Sequence, residues 1–188
     1  VVNAQGEWEV LKKIKAHQYS IEDISISPDG KTFATASSDN TIKIWETASG
    51  QPLKTLKGHK SVANTVCYSH DGQRIYSGGN DYTARVWDVQ TGEQLFKLNG
   101  VSANTVIKIA ASLDGKYIAA ALSNNNILLC EAGTGTLLKT LKGHSDGISE
   151  LCFNPDSKTL LSASKDNTAL IWDVQSGNVL YTLDQSLQ

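Results

Sequence analysis

Four residues recur in a fixed order along this chain. His17, Thr35, Asp39 and Trp45 return as His59, Ser77, Asp81 and Trp87, and again as His144, Ser162, Asp166 and Trp172. The spacing is held to one residue: Trp45 to Trp87 is 42 positions, Trp87 to Cys130 is 43 and Cys130 to Trp172 is 42. A period of about 40 to 45 residues belongs to solenoids, arrays and propellers, whose units cannot bury their apolar faces alone and so must stack on one another.

Within one repeat the period is 2. Ile21 to Ser27, Lys31 to Ser37 and Thr41 to Trp45 are short runs of apolar and β-branched residues between turn signals, which read as strands. Asp29-Gly30, Asp71-Gly72, Asp114-Gly115 and Asp156-Ser157 mark a first hairpin, and Ser49-Gly50, Thr91-Gly92, Thr134-Gly135 and Ser176-Gly177 a later turn. A fourth strand follows each later turn, as in Pro52 to Lys57 and Thr136 to Leu141, with Asn178 to Leu183 completing the last set. The innermost strands are expected to start near residues 20, 62, 105 and 147.

Gly58-His59 and Gly143-His144, the turn Asp before the third strand, and Trp87-Asp88 and Trp172-Asp173 at its end resemble the WD-repeat family from about Trp8 to Leu183. Ala16-His17 and Trp45-Glu46 depart from the family pattern. The resemblance implies an all-β propeller of four four-stranded antiparallel blades forming part of a ring, plus one extra N-terminal outer strand. The corresponding segments are 8–16 for the extra strand, then 17–57, 58–99, 100–142 and 143–184 for the four repeats, the third degenerate.

The recurring set can form one chain of hydrogen bonds. The Asp accepts from its turn amides and from the imidazole, and the indole N–H, a donor only, needs a buried acceptor. Such a network is a liability when half satisfied. In the third repeat the aligned residues are Val101, Ala120, Asn124 and Cys130, so all four members are absent together, and its outer strands are expected to exchange amide hydrogens sooner. His, hydroxyl and Asp are also the parts of a catalytic triad. Three regularly spaced copies, each with a Trp, point to structure instead. His17, His59 and His144 fall on different repeats, no glycine-rich phosphate loop or paired carboxylate recurs, and so no metal, cofactor or catalytic residue is expected.

A formal net charge of -2 and only two arginines, Arg74 and Arg85, give no reason to expect nucleic acid or a membrane as partner. The longest charge-free stretch, Tyr117 to Cys130, is 14 residues and too short to span a bilayer. The N-terminus shows no signal pattern, and the chain reads as a piece of a longer intracellular protein, cytoplasmic or nuclear. Three cysteines, Cys67 and Cys152 at equivalent positions, read as buried reduced thiols.

The resemblance also implies a binding face where the innermost strands begin, formed by residues flanking the first apolar position of each innermost strand and the residue before the turn Asp. These are Ser20, Glu22 and Ser38, then Val62, Asn64 and Asn80, then Thr105, Ile107 and Ser123, and finally Gly147, Ser149 and Lys165. Val62 and Ile107 are its apolar anchors, Glu22 and Lys165 its charges, and aromatic hot-spot residues are missing. Two functions follow: a non-catalytic interaction scaffold presenting this face to a protein or peptide, or an architectural component of a large assembly held by its blade edges. Rings of this family usually have about seven blades. The remaining blades of the same protein, or a second half-ring, are therefore expected to cover the end faces of four.

Overall fold

The computed structural model describes residues 13–184. They form four four-stranded antiparallel sheets arranged as propeller blades in an arc that does not close into a ring. Blade 1 contains β1 (Ile21–Ile26), β2 (Thr32–Ser37), β3 (Thr41–Glu46) and β4 (Pro52–Lys57), hydrogen-bonded in chain order. Blade 2 contains β5 (Ala63–Tyr68), β6 (Arg74–Gly79), β7 (Ala84–Asp88) and β8 (Gln94–Lys97). Blade 3 contains β9 (Val106–Ala111), β10 (Tyr117–Leu122), β11 (Ile127–Glu131) and β12 (Leu137–Leu141). Blade 4 contains β13 (Ile148–Phe153), β14 (Thr159–Ser164), β15 (Ala169–Asp173) and β16 (Val179–Leu183). The expected outer strand lies mostly outside the described residues, as does Trp8, and 13–16 are not in a strand.

Each turn follows from its residues. In the first hairpin Gly30, Gly72 and Gly115 take φ near +70°, with Ser157 at 59° in blade 4. The preceding Asp gathers the turn, as where Asp29 Oδ1 accepts from the Ser27 hydroxyl at 2.7 Å and the Lys31 amide at 3.0 Å. In the turn between the second and third strands, Asn40, Asn125 and Asn167 adopt φ of 66° to 68°, a region Asn tolerates.

The core lies between blades in three layers. Ala34, Ile42 and Ile44 of blade 1 meet Val66, Tyr68, Ile75 and Trp87 of blade 2. Tyr76 and Val86 meet Val106, Ile109 and Ile118 across the next seam, and Ala119, Ile127 and Leu129 meet Leu151, Phe153 and Trp172 across the last. Gly78 is glycine because a Cβ there would lie 2.2 Å from Val106 Cγ1 of blade 3. Side chains also tie consecutive innermost strands together. These strands are sheet edges, whose outward N–H groups need acceptors. Asp23 Oδ2 accepts from the Val66 amide at 3.1 Å, Ser25 Oγ from the Tyr68 amide at 3.1 Å, and Thr65 Oγ1 from the Ile109 amide at 3.2 Å. Lys108 occupies the next equivalent place and has no acceptor to offer. It pairs with Glu150 at 3.5 Å, while the Leu151 amide is capped by Glu150 itself.

The two ends of the arc are bare. Ile24 and Ile26 hold the register positions of Val66 and Tyr68, yet are 59% and 65% exposed against 4% and 5%. At the other end Leu183, the counterpart of Leu56, is 58% exposed against 1%. The same geometry corrects the reading of the cysteines. All three are free, but only Cys130 is buried; Cys67 is intermediate and Cys152 is exposed, because β13 turns it toward the uncovered side of blade 4. Burial raises the Cys67 thiol to about 11 and the Cys130 thiol to about 12, which keeps both protonated.

Amide exchange should follow this coverage. β1 and β16, whose side chains are largely exposed, are expected to exchange before the buried middle strands of blades 2 and 3, β6, β7, β10 and β11. Hydrogen-exchange mass spectrometry checks this, and slower exchange in β16 than in β7 or β11 would refute it.

Candidate functional site

In blades 1, 2 and 4 the recurring residues meet in one hydrogen-bonded chain. The indole N–H of Trp45, Trp87 and Trp172 donates to Thr35, Ser77 and Ser162 at 2.9, 2.8 and 2.8 Å. The same hydroxyls lie 2.7, 2.8 and 2.7 Å from Nε2 of His17, His59 and His144. Nδ1 of each imidazole lies 2.8, 2.9 and 2.9 Å from Asp39, Asp81 and Asp166. In the tautomer whose Nδ1–H is donated to the carboxylate, Nε2 accepts from the hydroxyl, which in turn accepts from the indole. The order is that of a Ser-His-Asp triad, but each hydroxyl is buried and already committed in both directions. No substrate carbonyl can reach it.

A fifth residue completes each chain and escaped the sequence reading. Thr41, Thr83 and Thr168, two positions after the Asp, donate their hydroxyls to it at 2.5, 2.7 and 2.7 Å. The recurring Asp-x-Thr was the available signal, and in blade 3 that place holds Asn126. Blade 2 adds Arg85, which reaches Asp81 at 3.0 Å, Thr83 at 2.9 Å and Gln94 at 2.6 Å. Gly58, beside it, has no room for a Cβ, which would lie 2.8 Å from Trp87 and 2.9 Å from Arg85.

Blade 3 solves the same site without polar groups. Ala120 and Cys130 are buried in one apolar cluster, and Val101 packs against it. With His, hydroxyl and indole all gone, nothing is left unpaired. The reason for expecting weak outer strands in this blade disappears, and β12 is no more exposed than the outer strands of the other blades.

The residues proposed for a binding face are brought together in every blade. The amides of Ser38, Asn80, Ser123 and Lys165 bond to the carbonyls of Ser20, Val62, Thr105 and Gly147 at 3.0, 2.9, 2.9 and 2.9 Å. Between them lies a β-bulge. The pairing skips from Ile21↔Ser37 to Asp23↔Ala36, and likewise in the other three blades, leaving Glu22, Asn64, Ile107 and Ser149 as the extra residues. A bulge re-aims its side chain out of the ladder, here onto the end of the blade.

Several rim groups are occupied by one another. Ser20 and Ser38 donate to Glu22, Asn64 donates to Asn80 at 2.7 Å and to the Val106 carbonyl at 3.0 Å, and Ser149 donates to the Ala163 carbonyl at 3.2 Å. Val62 and Ile107 are half-buried. The reading that the rim lacks aromatic residues is corrected by Tyr82, two residues beyond Asn80. It is 52% exposed and sits at φ 60°, where the other blades have Asn. Tyr19, beside Ser20, is 68% exposed. Tyr82 was legible only as the odd residue in the series Asn40, Tyr82, Asn125, Asn167.

Among the described residues no group of three or more His, Cys, Asp or Glu can hold a metal ion, and no helix is long and apolar enough to cross a membrane.

The repeat geometry and the buried hydroxyl network together define a WD-repeat protein, and comparison agrees. The family model for the WD domain, G-beta repeat, matches residues 8–46, 50–88 and 135–173, more than half of the chain, and the chain belongs to that family. Over 171 residues it is 45% identical to periodic tryptophan protein 2 of Saccharomyces cerevisiae, covering 90% of this chain and 18% of that protein. It is 27% identical to an uncharacterized WD repeat-containing protein of Synechocystis, covering 94% of this chain and 38% of that protein. It is 28% identical to nuclear distribution protein PAC1 of Arthroderma benhamiae, covering 88% and 38% respectively. The chain therefore spans less than two fifths of the length of these relatives.

The network makes stability depend on pH. Burial is the largest influence on His59 and pulls it below the usual 6.5, against the pull of Asp81. Burial alone would raise Asp39, but bonds from Thr41, His17 and the Gln18 amide outweigh it and bring Asp39 down to about 2. Asp81 and Asp166 are lowered further for the same reason. Lowered groups favour folding above their unfolded values. Unfolding free energy in urea should therefore fall as pH drops below 6.5, and again from 3.8 down through about 2. Asp81→Ala, which strands an imidazole and a guanidinium, is expected to cost about 1–3 kcal/mol at pH 7 and to lessen the acid loss. An unchanged urea midpoint in this variant would show that the network adds no stability.

Proposed function

We propose that this protein is a non-catalytic interaction scaffold that presents the bulged rim of its blades to a protein or peptide partner inside the cell. The observation that supports this reading is the repeated bulge. Glu22, Asn64, Ile107 and Ser149 differ in chemistry but are aimed alike, so the fold holds the direction constant while the sequence varies the contact. Function in a repeat fold lives in such grafted positions rather than in the scaffold. Tyr82 adds an aromatic anchor held at a φ that a bulky residue rarely adopts, a strain typical of binding positions. The net charge of -2, with one of two arginines buried against Asp81, supports neither nucleic acid nor an anionic membrane as partner.

Replacing Val62, Asn64 and Ile107 by alanine and Tyr82 by asparagine tests this face. Quantitative affinity capture from cells is expected to lose the specific partners while the protein stays folded, with a urea midpoint only modestly lowered, because Asn64 gives up its bond to the Val106 carbonyl and Asn in place of Tyr82 relieves a positive φ. Undiminished capture would remove this face from consideration.

The second reading, an architectural part held by its edges, draws on the bare end faces. Ile24 and Ile26 at one end and Leu161 and Leu183 at the other are apolar and exposed, and such patches associate in water. Further blades of the same protein or a second half-ring would cover them. The isolated 188-residue chain is accordingly expected to self-associate on size-exclusion chromatography with light scattering, and a stable 20.3 kDa monomer would argue against closure by another blade.

A further inference from the structure

Of the four bulged residues, only Glu22 carries a charge. Its Oε1 accepts from both the Ser20 and the Ser38 hydroxyl at 2.5 Å, and those hydroxyl oxygens are 2.9 Å apart. Two serines, one just before β1 and one just after β2, thus hold the carboxylate in one orientation on an exposed rim. Its Oε2 has no hydrogen-bond partner among the described residues, and no described lysine or arginine lies within ion-pair distance. The adjacent Asp23 shows the contrast. Its Oδ1 takes the Ile24 amide and its Oδ2 takes Thr65 and Val66 of blade 2, so that carboxylate is consumed by the scaffold.

A carboxylate that is oriented in advance, exposed, and half unoccupied is built to receive a charged donor, because charge-assisted hydrogen bonds are the strong ones and no rotamer has to be frozen on binding. The corresponding places in the other blades, Asn64, Ile107 and Ser149, have no such acceptor. We propose that Glu22, positioned by Ser20 and Ser38, is the recognition point for a lysine or arginine side chain of the protein partner. This rests on the reading of the rim as the binding face and adds to it the charge of the residue recognised. Tyr19, exposed one residue before Ser20, supplies an aromatic surface of the kind that cations favour.

The test is a two-dimensional ¹⁵N NMR titration of the full chain with N-acetyl-arginine methylamide, using the citrulline analogue as an uncharged control. The arginine compound should give saturable shifts at the amides of Ser20, Glu22 and Ser38, and the citrulline compound should not. Glu22→Gln should weaken binding about threefold or more, as expected for a partly exposed charge pair. Ser20→Ala with Ser38→Ala should also weaken it although the carboxylate remains, which an unpositioned surface charge would not show. Equal shifts with citrulline, or an unaltered titration in Glu22→Gln, would overturn the proposal. If the changes at Val62, Asn64, Ile107 and Tyr82 abolish partner capture while Glu22→Gln titrates like the parent, this inference fails and the rim stands. If arginine binding depends on Glu22 but those four changes leave capture intact, the contact at blades 2 and 3 fails and Glu22 in blade 1 stands as the recognition point.

Discussion

One buried hydroxyl in each of blades 1, 2 and 4 organises the structure. Thr35, Ser77 and Ser162 each accept an indole N–H from the third strand and face an imidazole from the loop before the first. The imidazole passes the connection to an Asp in the turn between the second and third strands. Three elements that are far apart in the repeat are thereby fixed at one point. A hydroxyl donates and accepts through one atom, and so can join a donor-only indole to an accepting imidazole in a small space.

Blade 3 shows that the requirement is completeness rather than polarity. It replaces imidazole, hydroxyl and indole with Val101, Ala120 and Cys130 together and keeps the same strand order and bulge. A single member retained there would have been an unpaired buried group. The seams between blades obey the same logic at the sheet edges. Asp23, Ser25 and Thr65 cap the edge amides of the following blade, and where Lys108 breaks the series, Glu150 caps its own strand.

These polar ties also determine what is free to bind. Each innermost strand carries a bulge at its second residue. Its by-product is a side chain standing clear of both sheet faces. At Glu22 that side chain is charged and held by two serines, whereas at Asn64 and Ser149 it bonds to its own scaffold.

The repeat, the strand order, the turns and the members of the network were all legible in the sequence, because each depends on local periodicity or on a fixed spacing within one repeat. Thr41, Thr83 and Thr168 were equally legible, in the recurring Asp-x-Thr. Other features came from contacts between repeats. That Cys152 is exposed while Cys130 is buried and that Ile24 is bare while Val66 is covered could not be taken from spacing, since burial depends on which blade lies against which face. The sequence by itself determined a WD-repeat array with three polar networks and one apolar substitute. The tertiary structure alone decided where the bulges aim their side chains and which of those side chains bond to their own scaffold, because those outcomes depend on register and on neighbouring strands that no linear pattern specifies.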